Sequence, residues 1–266
     1  MLVLLPPSEG KATDGSGAAL QLDRLSLPGL TEHRSVVLDE LTALCAADED
    51  KARAVLGIGE GLRGEVARNA TLREAPARPA GEIYTGVLYD ALGLDSLDAS
   101  ARARAEAALI VFSGLWGALR ITDRIPAYRC SMGVKLPGTG ALGRYWRAPM
   151  TGVLPEEADS GLVLDLRSAA YAAAWKPAGE LAERTATLRV LHARTVDGVE
   201  KRSVVSHFNK ATKGRLVRDL LTAGAEPASP PELVTALRDL GHTVESRPPA
   251  RAGTPWQLDV VVTEIH

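Results

Sequence analysis

The sequence predicts an α/β fold: one compact domain over residues 1–266, with a mixed β-sheet surrounded by helices. Three observations predict it. Short apolar runs at Leu2–Leu5, Ala108–Phe112 and Leu162–Asp165 are bounded as buried strands are. Stretches with apolar residues at helical spacing separate them. Asp197-Gly198, between Arg189–Val196 and Glu200–Val205, is a strong hairpin signal. Strands and helices intermix without a regular βαβ period, which favours a mixed sheet.

The elements follow in order. Leu2–Leu5 ends at Pro6-Pro7, and Gly15–Gly17 marks a loop. Val36–Ala47 and Lys51–Leu56 read as helices, Gly57-Ile58-Gly59-Glu60-Gly61 breaks them, and Leu62–Asn69 resumes the helical pattern. Residues 74–82 are rich in Pro and Ala and irregular. Ala99–Ala107 is helical and feeds the strand at 108–112. Leu162–Asp165 and Arg189–Thr195 read as strands, and Asn209–Leu221 as a basic helix. Pro230–Leu240 is a further helix, ended by Gly241, and Gln257–Glu264 alternates as a final strand.

An apolar fraction of 45% supplies a substantial core, and aromatics at 4% leave Ala, Leu and Val to fill most of it. No run of eighteen apolar residues occurs, so no membrane partner is expected. The first residues lack a basic region ahead of an apolar stretch, so no signal peptide is expected. Cys45 and Cys130 are far apart in sequence and neither has metal-like spacing, which fits a reducing cytoplasm. The five histidines are scattered, and no metal set or cofactor motif stands out.

A net charge of −2 argues against a generic nucleic-acid binder, but the charge is unevenly spread. Lys201–Arg218 holds six Lys/Arg and no acidic residue, and Ser113–Arg147 holds six Lys/Arg against Asp123 alone. Such asymmetry points to an anionic ligand. The alternative is that long helices carry basic faces. The second basic stretch contains the most informative segment, Ser113–Leu136, SGLWGALRITDRIPAYRCSMGVKL. Ser113, Gly114 and Gly117 let the backbone turn tightly as it leaves a strand. Trp116, Arg120, Asp123, Tyr128, Arg129 and Lys135 then place a ring, three cations, a carboxylate and a phenol on one irregular path.

SGLWGALR, D-x-IPAYR and MGVKL resemble the YaaA family of bacterial proteins linked to peroxide stress. So do MLVLLPPSEGK at the start, IYTGVL at Ile83–Leu88, and Leu142–Trp146 with Met150–Leu154. VLDLRSAAY at Val163–Tyr171 and VVSHFNKATKGRLVR at Val204–Arg218 complete six ordered matches. The chain departs from the family pattern in the Lys210–Arg215 segment, where K-A-T-K-G-R stands for the usual K-K-A-R-G, and at three single positions. Ala80 stands where a Lys is usual, Asp165 replaces an Asn, and Ala170 replaces an acid. The resemblance implies protection against hydrogen peroxide, lowering of free intracellular iron, and binding of DNA in a positively charged cleft. Lys11, Arg120, Arg129, Lys135, Lys210, Lys213 and Arg215 would line that cleft. Tyr84, Thr85, Ser113, Trp116, Tyr128, Trp146, Ser168 and Tyr171 would stack on or position a ligand.

The residues themselves leave alternatives open. Ser8-Glu9-Gly10-Lys11, after a strand, either presents amides and a Lys to phosphate or is a solvated first turn. Residues 51–69 resemble a helix-hairpin-helix, in which Gly57 and Gly59 would expose amides to a DNA phosphate; the other reading is a helical corner with glycine caps. Gly214 in the basic helix signals close approach of another group. His207, with Ser206 before it, is either structural or catalytic. Among Trp116, Tyr128, Tyr145, Trp146 and Tyr171, two or three are expected in the core and the rest as stacking platforms. Two functional readings follow. One is a binder of DNA, duplex or single-stranded, or of a nucleotide-like anion. The other is an enzyme on a nucleotide or nucleobase, with Ser8, Glu9, Lys11 and Asp123 as its catalytic set, because carboxylates inside an anion site need a reason beyond phosphate contact.

Overall fold

Leu2–Leu5 is buried at every position, so it cannot be an edge strand with one wet face. In the computed structural model, which describes residues 1–13, 17–196, 199–204 and 206–263, it is the central strand β1 of an eight-stranded sheet. The other strands are β2 (Leu109–Ser113), β3 (Gly117–Arg120), β4 (Val163–Asp165), β5 (Thr185–Val196), β6 (Val199–Ser203), β7 (Thr243–Arg247) and β8 (Trp256–Val262). Their order is β7-β8-β5-β4-β1-β2-β3, with β6 added to the far end of β5. The five strands β8, β5, β4, β1 and β2 are mutually parallel. β3, β6 and β7 pair antiparallel at the margins, so the sheet is mixed. Val3 lies opposite Leu109 on one side and Leu164 on the other.

The main helices are α1 (Thr31–Ala47), α2 (Glu49–Leu56), α3 (Arg63–Ala70), α4 (Val87–Leu92), α5 (Ala99–Ala108), α6 (Arg147–Ala158), α7 (Ser206–Ala223) and α8 (Pro230–Asp239). Local chemistry sets several starts. The Asp48, Asp98 and Ser229 side chains accept the amides of Lys51, Ala101 and Glu232 at the N-termini of α2, α5 and α8. α7 packs on α4 and α5, and α1 packs on α3. Trp116, Trp146, Trp175, Tyr128 and Phe112 are the largest fully buried side chains besides Arg34.

Most expected elements are present, several of them longer than expected. α1 begins at Thr31 rather than Val36, and β5 begins at Thr185 rather than Arg189. Sequence patterning missed β3, β7, α4 and α6. Gly15 and Ser16, the Asp197-Gly198 turn, Val205 and Glu264 lie outside the described residues, as do the side chains of Ser206 and His207. No helix among the described residues is long and apolar enough to cross a membrane.

From β1 the chain crosses to β2 on one side, and the later strand β4 joins β1 on the other. In open parallel sheets, ligands bind outside the carboxyl ends of the strands where such a reversal occurs. Here those ends carry Pro6–Lys11 after β1, Gly114–Trp116 after β2 and Leu166–Ser168 after β4.

Candidate functional site

The loop after β1 is pinned rather than free. Tyr89 Oη donates to the Pro6 carbonyl at 2.7 Å. Ser8 Oγ donates to Gly10 O at 2.5 Å and accepts the Thr85 amide at 3.1 Å. Ala12 N donates to Ile83 O at 2.8 Å. A Cβ on Gly10 would lie 3.0 Å from Thr85 Oγ1, so the two segments are in tight contact. Lys11 is thereby placed beside Tyr84 and turned toward Tyr128.

Lys11 is the centre of the site. Its Nζ donates to Ser8 O at 2.8 Å and stands 4.5 Å from the Tyr128 ring centroid and 5.6 Å from that of Tyr84. Beneath it runs a buried hydroxyl chain: Tyr84 Oη to Tyr128 Oη at 3.0 Å, and Tyr128 Oη to Ser113 Oγ at 2.6 Å. Ser113 Oγ also accepts the amides of Leu115 and Trp116, at 3.2 and 3.0 Å. Burial pushes the phenols of Tyr84 and Tyr128 up. Burial pulls the Lys11 ammonium down to about 8, the Arg129 charge adds to this, and Glu9 opposes it.

Arg129 spans the mouth. Its guanidinium pairs with the Glu9 carboxylate at 2.8 Å and donates to Glu9 O at 3.3 Å. Its backbone is clamped by Asn69, which accepts from Arg129 N at 2.9 Å and donates to Arg129 O at 2.7 Å. Cys130, next in the chain, is buried, and its thiol is pushed up to about 12 by that burial. The Tyr171 hydroxyl accepts the Met132 amide at 3.4 Å. Pro7–Glu9, Lys11, Tyr128–Ser131 and Tyr171 enclose a notch of about 10 Å³, room for one water. On the other side of the same loop, Pro6–Gly10, Thr85–Tyr89 and Lys210 line a groove of about 210 Å³.

α7 brings the third segment. A Cβ at Gly214 would lie 2.2 Å from Leu88 O and 2.9 Å from Ala91 Cβ, so the close approach its glycine signals is to α4. That contact sets Lys210, one turn earlier, over the groove. Lys213 Nζ donates to Leu166 O at 3.1 Å, and burial pulls its ammonium down against the pull of Asp165. Asp165 is itself held by Arg167 in a two-pronged pair, at 2.8 and 2.5 Å, with the guanidinium 4.2 Å from the Phe112 ring centroid. Arg167 and Asn69 are the contributors that sequence reasoning missed.

Other candidates are placed elsewhere. Both Asp123 oxygens accept backbone amides, from Ser26 at 2.7 Å and Arg120 at 2.9 Å, and the residue lines a separate hollow with Gln21, Arg24 and Arg124. Asp123 thus lines neither the notch nor the groove, and lies apart from Ser8, Glu9 and Lys11. Arg120 is tied to Glu157 and to the Ala107 carbonyl at 2.5 Å. Lys135 is exposed on a two-residue strand and lines neither groove nor notch. Arg215 is exposed and sits about 140° round α7 from Lys210. Ser168 is exposed at the start of a one-turn helix. Trp116, Trp146, Tyr128 and Tyr171 are all buried, one more than the core was expected to take. Trp146 Nε1 donates to Gly114 O at 2.8 Å, a packing role.

The pair of short helices at 49–70 meets in a glycine-capped corner. The Gly57 and Ile58 amides donate back to the end of α2, Gly57 adopts φ 66°, and the Glu60 carboxylate in front of α3 pairs with Arg53 and Arg63. No group of three or more His, Cys, Asp or Glu that could hold a metal occurs among the described residues.

An open mixed sheet with lysines gathered at the carboxyl ends of β1 and β4, at the reversal point, defines an α/β protein with a lysine-lined crevice. The chain belongs to the YaaA family: the sequence profile described as peroxide stress protein YaaA matches residues 1–247. A Streptomyces coelicolor protein of the UPF0246 group is 70% identical over 266 residues, all of both chains. A UPF0246 protein of Corynebacterium efficiens is 43% identical, over 92% of this chain and 95% of its own. One from Corynebacterium glutamicum is 38% identical, over 93% of this chain and 96% of its own.

Proposed function

We propose that this peroxide stress protein binds DNA, or a nucleotide-like anion, in the crevice between the Pro6–Lys11 loop, Arg129 and α7. One observation carries the reading: Lys11, Lys210 and Lys213, from distant parts of the chain, gather at the same strand ends, and none has an ion-pair partner among the described residues. Cations without counter-ions leave a local field that an anion neutralises. The protein works in the cytoplasm under hydrogen peroxide, and its link to lower free iron is the one the family resemblance implies.

The test is anisotropy of a labelled duplex and a labelled single strand over a salt series. Affinity should fall steeply with salt. Lys210→Ala should weaken binding to all sequences alike and lower the salt slope by about one. Arg215→Ala, on the far side of the helix, should matter less. Binding that is absent or indifferent to salt removes the reading.

The second reading, an enzyme on a nucleotide or nucleobase in the same crevice, is favoured by the half-buried Lys11 beside the exposed Glu9. Ser8 is committed to holding the loop, and Asp123 is committed elsewhere.

A further inference from the structure

We propose that Lys11 is an amine nucleophile that forms a Schiff base with a phosphate-bearing sugar aldehyde, whether the ring-opened abasic site of DNA or a free sugar phosphate. This deepens the anion-binding reading and rests on it.

Three features of Lys11 carry the inference. It has no carboxylate partner, because the nearby Glu9 is engaged by Arg129 instead. Its Nζ has one hydrogen bond, to Ser8 O, and otherwise faces the rings of Tyr128 and Tyr84. A cation held by π faces and a carbonyl loses less on deprotonation than one held in an ion pair, so the neutral amine is accessible. Finally, the residue is only half-buried and lines the notch, a water-sized opening whose mouth the Arg129 side chain spans. A lysine meant only to hold the loop would need no open side. The cations that would receive the phosphate are Lys210, across the loop, and Lys213 at the end of β4.

The chemistry balances without a further reactant. The lone pair of the neutral Nζ attacks the aldehyde carbon, and the proton that the attacking nitrogen sheds passes to the former carbonyl oxygen, giving a carbinolamine. Loss of its hydroxyl as water leaves the C=N bond. The ammonium proton leaves to water at the mouth of the notch, which Glu9 and Arg129 flank, and water returns a proton to the departing hydroxyl. Water reverses the adduct. Lowering of the ammonium by burial, to about 8, supports the same role. The groups facing it are Glu9 and Arg129 at the mouth, Glu65 on α3, and Tyr84, Tyr128 and Cys130 around the stem.

The experiment is borohydride trapping with the full chain and two probes, a duplex with one abasic site and deoxyribose 5-phosphate. A duplex carrying a tetrahydrofuran abasic analogue, which has no aldehyde, reports binding alone. Reduction should fix a covalent adduct, and peptide mass mapping should place it on Lys11. The yield should rise with pH to half its maximum near 8, and Lys11→Arg should lower it at least tenfold while the variant keeps a cooperative thermal transition. Adducts only on other amines, or equal yield from Lys11→Arg, overturn the inference. Mapping of the wild-type adduct decides the matter even if the variant fails to fold. If the analogue duplex binds and neither aldehyde is trapped, the nucleophile falls and the anion site stands. If only the sugar phosphate is trapped and no duplex binds, the amine stands and the DNA reading falls.

Discussion

Arg34 holds a full charge where no solvent reaches it. Its Nε and two terminal nitrogens donate to the carbonyls of Trp116, Ser26 and Ala118 at 3.0, 2.8 and 2.7 Å. Burial pulls its pKa to about 10, and Asp123 opposes the shift. Together they tie the start of α1 to the turn between β2 and β3, the turn that carries Ser113 and Trp116. Arg34→Met should destabilise by roughly 3 kcal/mol, since it strands buried carbonyls and the Asp123 charge. Asp123→Ala should cost about 1–3 kcal/mol by leaving two amides unpaired. Urea unfolding measures both, and the folded fraction of Asp123→Ala should keep the parent's ligand affinity. Selective loss of that affinity would return Asp123 to the site.

Lys11 offers a second test at the same scale. Its pKa is lower folded, about 8, than unfolded, about 10.5. Between these values the unfolded chain binds more protons, so the Lys11 contribution to stability rises with pH. Below pH 8 its buried charge is a standing cost, and toward 10.5 that cost disappears. The melting temperature of Lys11→Met minus that of the parent should therefore fall as pH rises from 7 to 10. A difference that is flat or grows would mean the ammonium is not desolvated.

At the scale of elements, two glycines in one corner have different duties. Gly57 closes α2 in the left-handed region, at φ 66°, whereas Gly59 has φ −79° and open space around it. Gly57→Ala should lose about 1 kcal/mol, and Gly59→Ala should stay within about 0.5 kcal/mol of the parent by chemical unfolding. Equal losses would show that the corner is tighter than its geometry. The same corner shows where sequence reading stops. Gly57-Ile58-Gly59 fits two turns equally, and its spacing does not foretell the pairing of Glu60 with Arg53 and Arg63. β1, β2 and β4 were legible through their short apolar runs, and β5 through the Asp197-Gly198 hairpin signal that follows it. α6 was not, since Gly152 and Pro155 break its pattern, nor was β3, which begins at Gly117. In the site, Lys11, Tyr84, Tyr128, Arg129, Lys210 and Lys213 were found through their motifs. Asn69 left no mark in a polar helix, and the Asp165–Arg167 clamp is a matter of side-chain direction that spacing does not encode.

For the molecule as a whole, β8 has a disproportionate role. It lies between β7 and β5, pairing with five residues of one and seven of the other. The family profile ends at residue 247, short of this strand. A chain stopped after Arg247 would leave β7 without its sheet partner and β5 with an open edge. It should be insoluble or lack a cooperative thermal transition. A soluble truncation that melts sharply would show that the sheet can close without β8.

The central position of β1 also sets an order of events in time. Translation makes Leu2–Leu5 before either strand that flanks it. Leu4 has to wait for Ile110 on one side and for Asp165 on the other. Such distant closures slow folding, and meanwhile an apolar segment with two bare edges is open to wrong partners. Pulse-labelled hydrogen exchange during refolding should find the amides of β1 protected no earlier than those of β4. A growing chain thus keeps its most water-averse segment uncovered longest, and that interval is when a chaperone has something to hold.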